Sequence, residues 1–151
     1  MAVSGPIVAF LEGEGRDARG RSVFDILSMN DAAMERTHDF IQWLFPLPEP
    51  SAAVPDSPVL TPDEIRAIRE SELAPIALAG ATDRMIAFYQ STHDWLMPND
   101  HNHRRITRII RSLRLLQGDE AADAFRDAIL ERVEATRAPV NARSRGYWAT
   151  A

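Results

Sequence analysis

Apolar residues recur at helical spacing in every strongly periodic run, and no stretch pairs β-branched residues with clean alternation over the length of a strand. Capping residues, first-position prolines and terminal glycines punctuate the chain throughout. Together these features predict an all-α fold. The expected form is a single compact orthogonal bundle of about five to seven helices carrying a proline-rich extended segment. Residues 1–138 are expected to form this domain and residues 139–151 a C-terminal tail without apolar period.

Gly5-Pro6, then Ile7, Phe10 and Leu11 before Gly13, reads as a short helix with proline at its first position and glycine after its end. Glu12 to Gly20 holds three glycines and alternating charges, so it is a loop. Ser22-Val-Phe-Asp25 has the form of a capping box opening a helix to about Ser28, anchored by Phe24 and Ile26/Leu27. Asn30 is a suitable N-cap for a helix from Asp31 to about Leu44. Met34, His38, Ile41 and Phe45 then share one face, and Trp43 projects roughly opposite. Pro46 stops that helix. Six prolines between Pro46 and Pro62 exclude regular helix and imply an extended segment, against which Trp43 is expected to pack.

Thr61-Pro62-Asp63-Glu64 is the clearest helix start, with cap, proline and reciprocal glutamate all in place; this helix runs to about Ser71. Pro75 begins or kinks the next helix, through Met85, Ile86, Phe88 and Tyr89. His93 to Asn102 is a loop around Pro98. Ile106, Ile109, Ile110, Leu113 and Leu116 define the most regular amphipathic helix, ended by Gly118. Asp119 is expected to cap the last helix, with Phe125, Ile129 and Val133 on its apolar face.

The chain has 151 residues, 45% of them hydrophobic and 26% charged, which suits one globular domain. It has no cysteine, which removes disulfides, thiolate catalysis and thiolate metal sites. All 17 basic residues are arginine, so no lysine chemistry is available, and the net charge is −5. No apolar run is long enough to span a bilayer and no secretory leader is evident, so a cytoplasmic protein is expected. The positive charge is unevenly placed. Residues 101–118 carry Arg104, Arg105, Arg108, Arg111 and Arg114 and no acid. One local positive island on an acidic chain disfavours bulk nucleic-acid binding and leaves room for a single anionic contact.

His38-Asp-Phe-Ile-Gln-Trp-Leu-Phe-Pro46, its continuation Leu47-Pro48-Glu49-Pro50-Ser51, the earlier Gly20-Arg21, Phe88-Tyr89, and His101-Asn-His-Arg-Arg-Ile-Thr-Arg-Ile-Ile-Arg-Ser-Leu113 resemble the conserved N-terminal domain of the opioid growth factor receptor family. The resemblance extends from about Ile7 to about Phe125. It implies an all-helical binding domain, with animal members taken as perinuclear or nuclear receptors for an enkephalin peptide, and a receptor label that implies membrane association. It supplies no catalytic residues. A lysine-free chain of this length looks like a bacterial member, for which an opioid peptide is not an expected ligand.

Three groups of residues are candidates for chemistry. His38 and Trp43 can form a polar pocket with an aromatic wall, or a satisfied core histidine beside a packed tryptophan. His93, Asp94, Asp100, His101 and His103 have the donor types of a metal site, with His38 as a further ligand. His101 and His103, however, are two residues apart rather than on one helical face, and no metal is expected. The adjacent letters His101-Asn102-His103 lack the hairpin-plus-helix frame of a nuclease motif. Arg104, Arg108 and Arg111 share a face opposite the isoleucines and suit either internal acids or an external carboxylate or phosphate. Arg108, at mid-helix, is expected to be structurally committed, with Asp39, Glu35 or an acid of the first loop as partner; Arg104 and Arg111 are expected to be more available.

The predicted function is a noncatalytic, receptor-like binding module without cofactor. Its partner is a peptide, a protein or a small anionic ligand, met through a groove between the 31–44 and 106–116 helices. The candidate contact residues are His38, Trp43, His101, Asn102, His103, Arg104, Arg108 and Arg111. The alternatives are a nucleic-acid or anionic-partner binder through the Arg104/Arg108/Arg111 helix and a metal-assisted hydrolase through the His93–His103 loop.

Overall fold

The computed structural model describes residues 5–151. Among the described residues are nine helices and no strand, so the protein is all-α. Two more helices occur than the seven that periodicity marks out, because the expected 31–44 helix is two short ones and the expected tail contains another. The chain divides into two compact units, residues 1–81 and 82–151.

The first unit contains α1 (Pro6–Leu11), α2 (Val23–Leu27), α3 (Asp31–Arg36), α4 (Ile41–Leu44), α5 (Pro62–Glu70) and the start of α6 (Ala74–Ser91). Local signals set most of these boundaries. Ser22 and Thr61 each form a complete capping box, with Asp25 and Glu64 returning the bond, and Asn30 accepts from the Ala33 N–H. A Cβ at Gly5 would run into the Glu64 carboxylate, so a larger residue there would displace the side chain that closes the α5 capping box. The prolines keep residues 46–60 out of any helix, and the Leu60 N–H donates to the Leu47 carbonyl at 3.0 Å, closing that segment into a loop. Ile7, Phe10, Leu11, Ile26, Met34, Phe40, Ile41, Leu44 and Phe45 are fully buried.

Two expectations for this unit are corrected. The helix from Asp31 does not continue to Leu44: Thr37 is extended at φ −96°, ψ 121°, and its hydroxyl donates to the Ala33 carbonyl at 2.7 Å, ending α3. His38 therefore leaves the Met34/Ile41 stripe and is exposed rather than buried. Phe24 does not anchor α2, since it is 72% exposed; Val23 and Ile26 supply the buried face.

The second unit holds the remainder of α6, α7 (Asn102–Leu116), α8 (Asp119–Thr136) and α9 (Ala142–Thr150). α7 packs on α8 through the predicted isoleucine and leucine stripe, and α9 also packs on α7. Gly118 makes the corner between α7 and α8 at φ 104°, ψ 177°, a conformation open only to glycine. Gly118 occupies the N-cap position of α8, and Asp119 lies in the first turn instead of capping it, where its charge still complements the helix dipole. Residues 142–150 are a helix, not an aperiodic tail: Asn141 accepts from the Ser144 N–H, and Trp148 is wholly buried.

Candidate functional site

In the first unit the charged residues converge on Asp17, which is buried. The backbone N–H groups of Arg19 and Arg21 both donate to Asp17 Oδ1 at 2.9 Å, and Arg21 Nε donates to Oδ2 at 2.7 Å. This arrangement folds the loop of residues 17–21 around one carboxylate, with Gly20 at φ 77° completing the turn. Arg21 Nη2 then reaches Asp39 Oδ1 at 2.9 Å, and Arg19 Nε reaches Asp39 Oδ2 at 3.0 Å. Burial opposes charge on the Arg21 guanidinium, but its bonds to Asp39 and Asp17 outweigh that and leave its pKa raised. Desolvation likewise opposes the Asp39 carboxylate, and the Arg21 bond together with both guanidinium charges holds its pKa below the usual value.

The cluster explains why the chain turns after α3. Asp39 is drawn to the arginine loop. Trp43 is buried, and its aromatic contact is an edge-to-face pairing with Phe10 of α1, with ring centroids 5.4 Å apart. His38 and Trp43 thus form no buried polar pocket, because the residue on one side of it is exposed and the other belongs to the core.

The second unit supplies a different histidine for the core. His103 is buried, its Nε2 lies 2.8 Å from the Trp95 carbonyl oxygen, and its Nδ1 lies 3.2 Å from the Ser144 hydroxyl. A carbonyl can only accept, so Nε2 carries the proton, and in the neutral ring Nδ1 accepts from Ser144. The Trp148 indole N–H donates to the His103 carbonyl at 3.1 Å, and its ring stands edge-on to the imidazole at 5.6 Å. Next to it Asn102 is fully buried; its Oδ1 accepts from the Tyr89 hydroxyl at 3.3 Å and from Arg105 Nη1 at 3.5 Å. Tyr89 in turn packs edge-on to Trp95 and Phe125, while the Trp95 indole donates to the Tyr89 carbonyl.

Asn102 and His103 are therefore held inside the second unit by α6, the 92–101 loop and α9, and neither presents a free polar group to a ligand. With both ring nitrogens engaged, His103 cannot join His93 or His101 as a metal ligand without breaking the packing of α9. His93 and His101 are exposed, and His101 Nδ1 lies 3.7 Å from Asp100 Oδ1. What could have pointed to this network is the Asn141-to-Ser144 cap, which marks a helix and so a face for Ser144 and Trp148.

The arginines of α7 sort by burial. Arg105, which falls outside the Arg104/Arg108/Arg111 row, is the buried one; Arg108 is half-buried and has a partner within the protein. Arg114 is consumed by α8 and the last residue described: it donates to Asp119 and Asp123 at 2.8 and 2.7 Å and to the Ala151 carbonyl at 2.8 Å. Bonds to those two aspartates raise its pKa. Arg104 and Arg111 are exposed. Seven residues apart, they lie on one face of α7 about 10 Å from each other along its axis.

Comparison with known proteins gives the same answer from two directions. Residues 22–94 match the conserved region of the opioid growth factor receptor. The rat opioid growth factor receptor is 33% identical over 115 residues, an alignment covering 62% of this chain and 20% of the rat protein. The mouse and human receptors are 34% and 33% identical over 98 residues, covering 53% of this chain and 15% and 14% of theirs. The chain thus spans a fifth or less of the length of these relatives. No solved structure matches. Among the described residues no helix is long and apolar enough to cross a membrane. The match takes in the α2 capping box, the Asp39 end of the ion-pair cluster, Trp43, the proline segment and α5; over residues 22–94 the chain is similar to the conserved region of the opioid growth factor receptor.

Proposed function

We propose that the protein is a noncatalytic, receptor-like binding module acting in the cytoplasm, whose partner is a peptide, a protein or a small anionic ligand. The observation that carries this reading is the division of labour within the His101–Arg111 run. Its buried polar members, Asn102, His103 and Arg105, are spent on the fold; His101, Arg104 and Arg111 are exposed, and the groups next to the two arginines in sequence, His103 and Ser112, are buried away from them. The name of the rat, mouse and human relatives makes them receptors, which supports a binding role over an enzymatic one.

Native mass spectrometry of the purified chain, followed by identification of copurifying peptides and small molecules, tests this reading. The expected result is a defined adduct that is released chemically unchanged. Turnover of the released compound on re-addition, or zinc-dependent hydrolysis of ester, phosphodiester or peptide substrates, would contradict it.

A further inference from the structure

The positive face of α7 has definite limits. It begins after Asp100, which pairs with His101, and ends at Arg114, whose charge is cancelled by Asp119 and Asp123 at the start of α8. Between those acids lie 15 helical residues with five arginines and no carboxylate, a stretch of about 22 Å. Arg104 and Arg111 are the exposed members within it. Arg111 has a contact inside the protein, yet a guanidinium fork carries five N–H donors, so an exposed fork can meet a second acceptor.

We infer that this face docks a short acidic peptide segment, with carboxylates reaching Arg104 and Arg111 together. The inference rests on the binding-module reading and names its partner. The rise of about 10 Å separates the two backbone positions, and a single small anion held by two exposed guanidinium groups gains only weak, solvent-screened ion pairs. A chain of carboxylates spans both. Three to four extended residues cover the interval. A nucleic acid strand would also offer repeated anions, but it continues past both ends of the island into Asp100 and into Asp119 and Glu120, on a chain of net charge −5. A segment of a few acidic residues fits within the boundary and avoids that repulsion.

The test is fluorescence anisotropy with a labelled tetraglutamate peptide and the full chain at low salt. Inorganic phosphate and a single-stranded DNA oligonucleotide serve as competitors. Saturable binding is expected, weakened about tenfold in R104A/R111A and largely retained in R104K/R111K. It is displaced by excess unlabelled peptide and far less by phosphate. Both variants should keep the wild-type far-ultraviolet circular dichroism and melting temperature, since these side chains are exposed. Absence of peptide binding, binding unaffected in R104A/R111A, or stronger binding of the oligonucleotide would overturn the inference. A copurifying partner bound equally by wild type and R104A/R111A would likewise overturn it while leaving the binding-module reading intact; turnover would remove that reading instead.

Discussion

The Ser144 hydroxyl meets the Nδ1 of His103 at 3.2 Å across 41 residues of sequence, joining the first turn of α9 to the first turn of α7. With the Trp148 indole on the His103 carbonyl, it makes the C-terminal helix part of the second unit's core. His103, one of the candidate contact residues, thus has a packing role in the second unit.

Truncation of Trp148 to alanine is predicted to destabilise the protein by about 3–5 kcal/mol, because it removes a fully buried indole and its hydrogen bond together. Ser144→Ala is predicted to cost about 1 kcal/mol, the net worth of one hydrogen bond. Urea unfolding followed by tryptophan fluorescence gives both values. A Trp148→Ala loss below about 1 kcal/mol would mean that α9 is peripheral.

The Asp39 ion pairs give a pH dependence with a definite sign. The folded-state pKa of Asp39 is depressed, so its contribution is fully present above the unfolded carboxylate value, near 4, and is lost as pH falls through the folded pKa. Asp39→Asn should be less stable than wild type at pH 6, and the gap should close on acidification below about pH 4. Melting temperatures between pH 2 and 6 check this. A gap that is constant with pH would show that Asp39 acts through shape and not charge.

Arg21→Ala is predicted to cost about 3 kcal/mol, since among the described residues it strips the side-chain cation bonded to the buried Asp17 carboxylate and one of two on Asp39. Arg19→Ala, at an exposed position, should cost under about 1 kcal/mol. Equal losses in chemical denaturation would contradict the central place given to Arg21.

Gly118→Ala is predicted to destabilise by about 1–3 kcal/mol. Nothing crowds the added methyl, so the whole cost is backbone strain at φ 104°. Gly13, also at positive φ but in the ordinary left-handed region, should tolerate asparagine far better.

Much of this fold was legible because its signals are local. Ser22 and Thr61 place their helices through partners three residues away, and the α7 stripe declares itself over 15 residues. What escaped the sequence depends on distant partners. The break between α3 and α4 is held by Arg19 and Arg21, about 20 residues upstream of Asp39. A buried histidine was expected at position 38 and occurs at 103, which lies one turn before Ile106 on the buried face of α7 and is covered by Ser144 and Trp148 from α9. Trp43 was expected to pack on the proline segment; it is buried, and its ring meets Phe10 of α1 edge-on. In the arginine row, periodicity separated the two faces of α7 correctly, yet placed Arg105 merely beside the row, where its bond to Asn102 makes it the buried member. Arg105→Ala should therefore unfold at markedly lower denaturant than Arg104→Ala.

The most direct measurement is a nitrogen-15 NMR titration of the full chain with tetraglutamate, reading backbone amides, arginine Nε–H groups and the His103 ring together. The prediction is that shifts concentrate at Arg104 and Arg111 while the His103 ring and the Asn102 side-chain amide stay in place. Shifts centred on His103 and Asn102, or none on α7, would contradict the assignment of the buried residues to the fold and the exposed arginines to recognition.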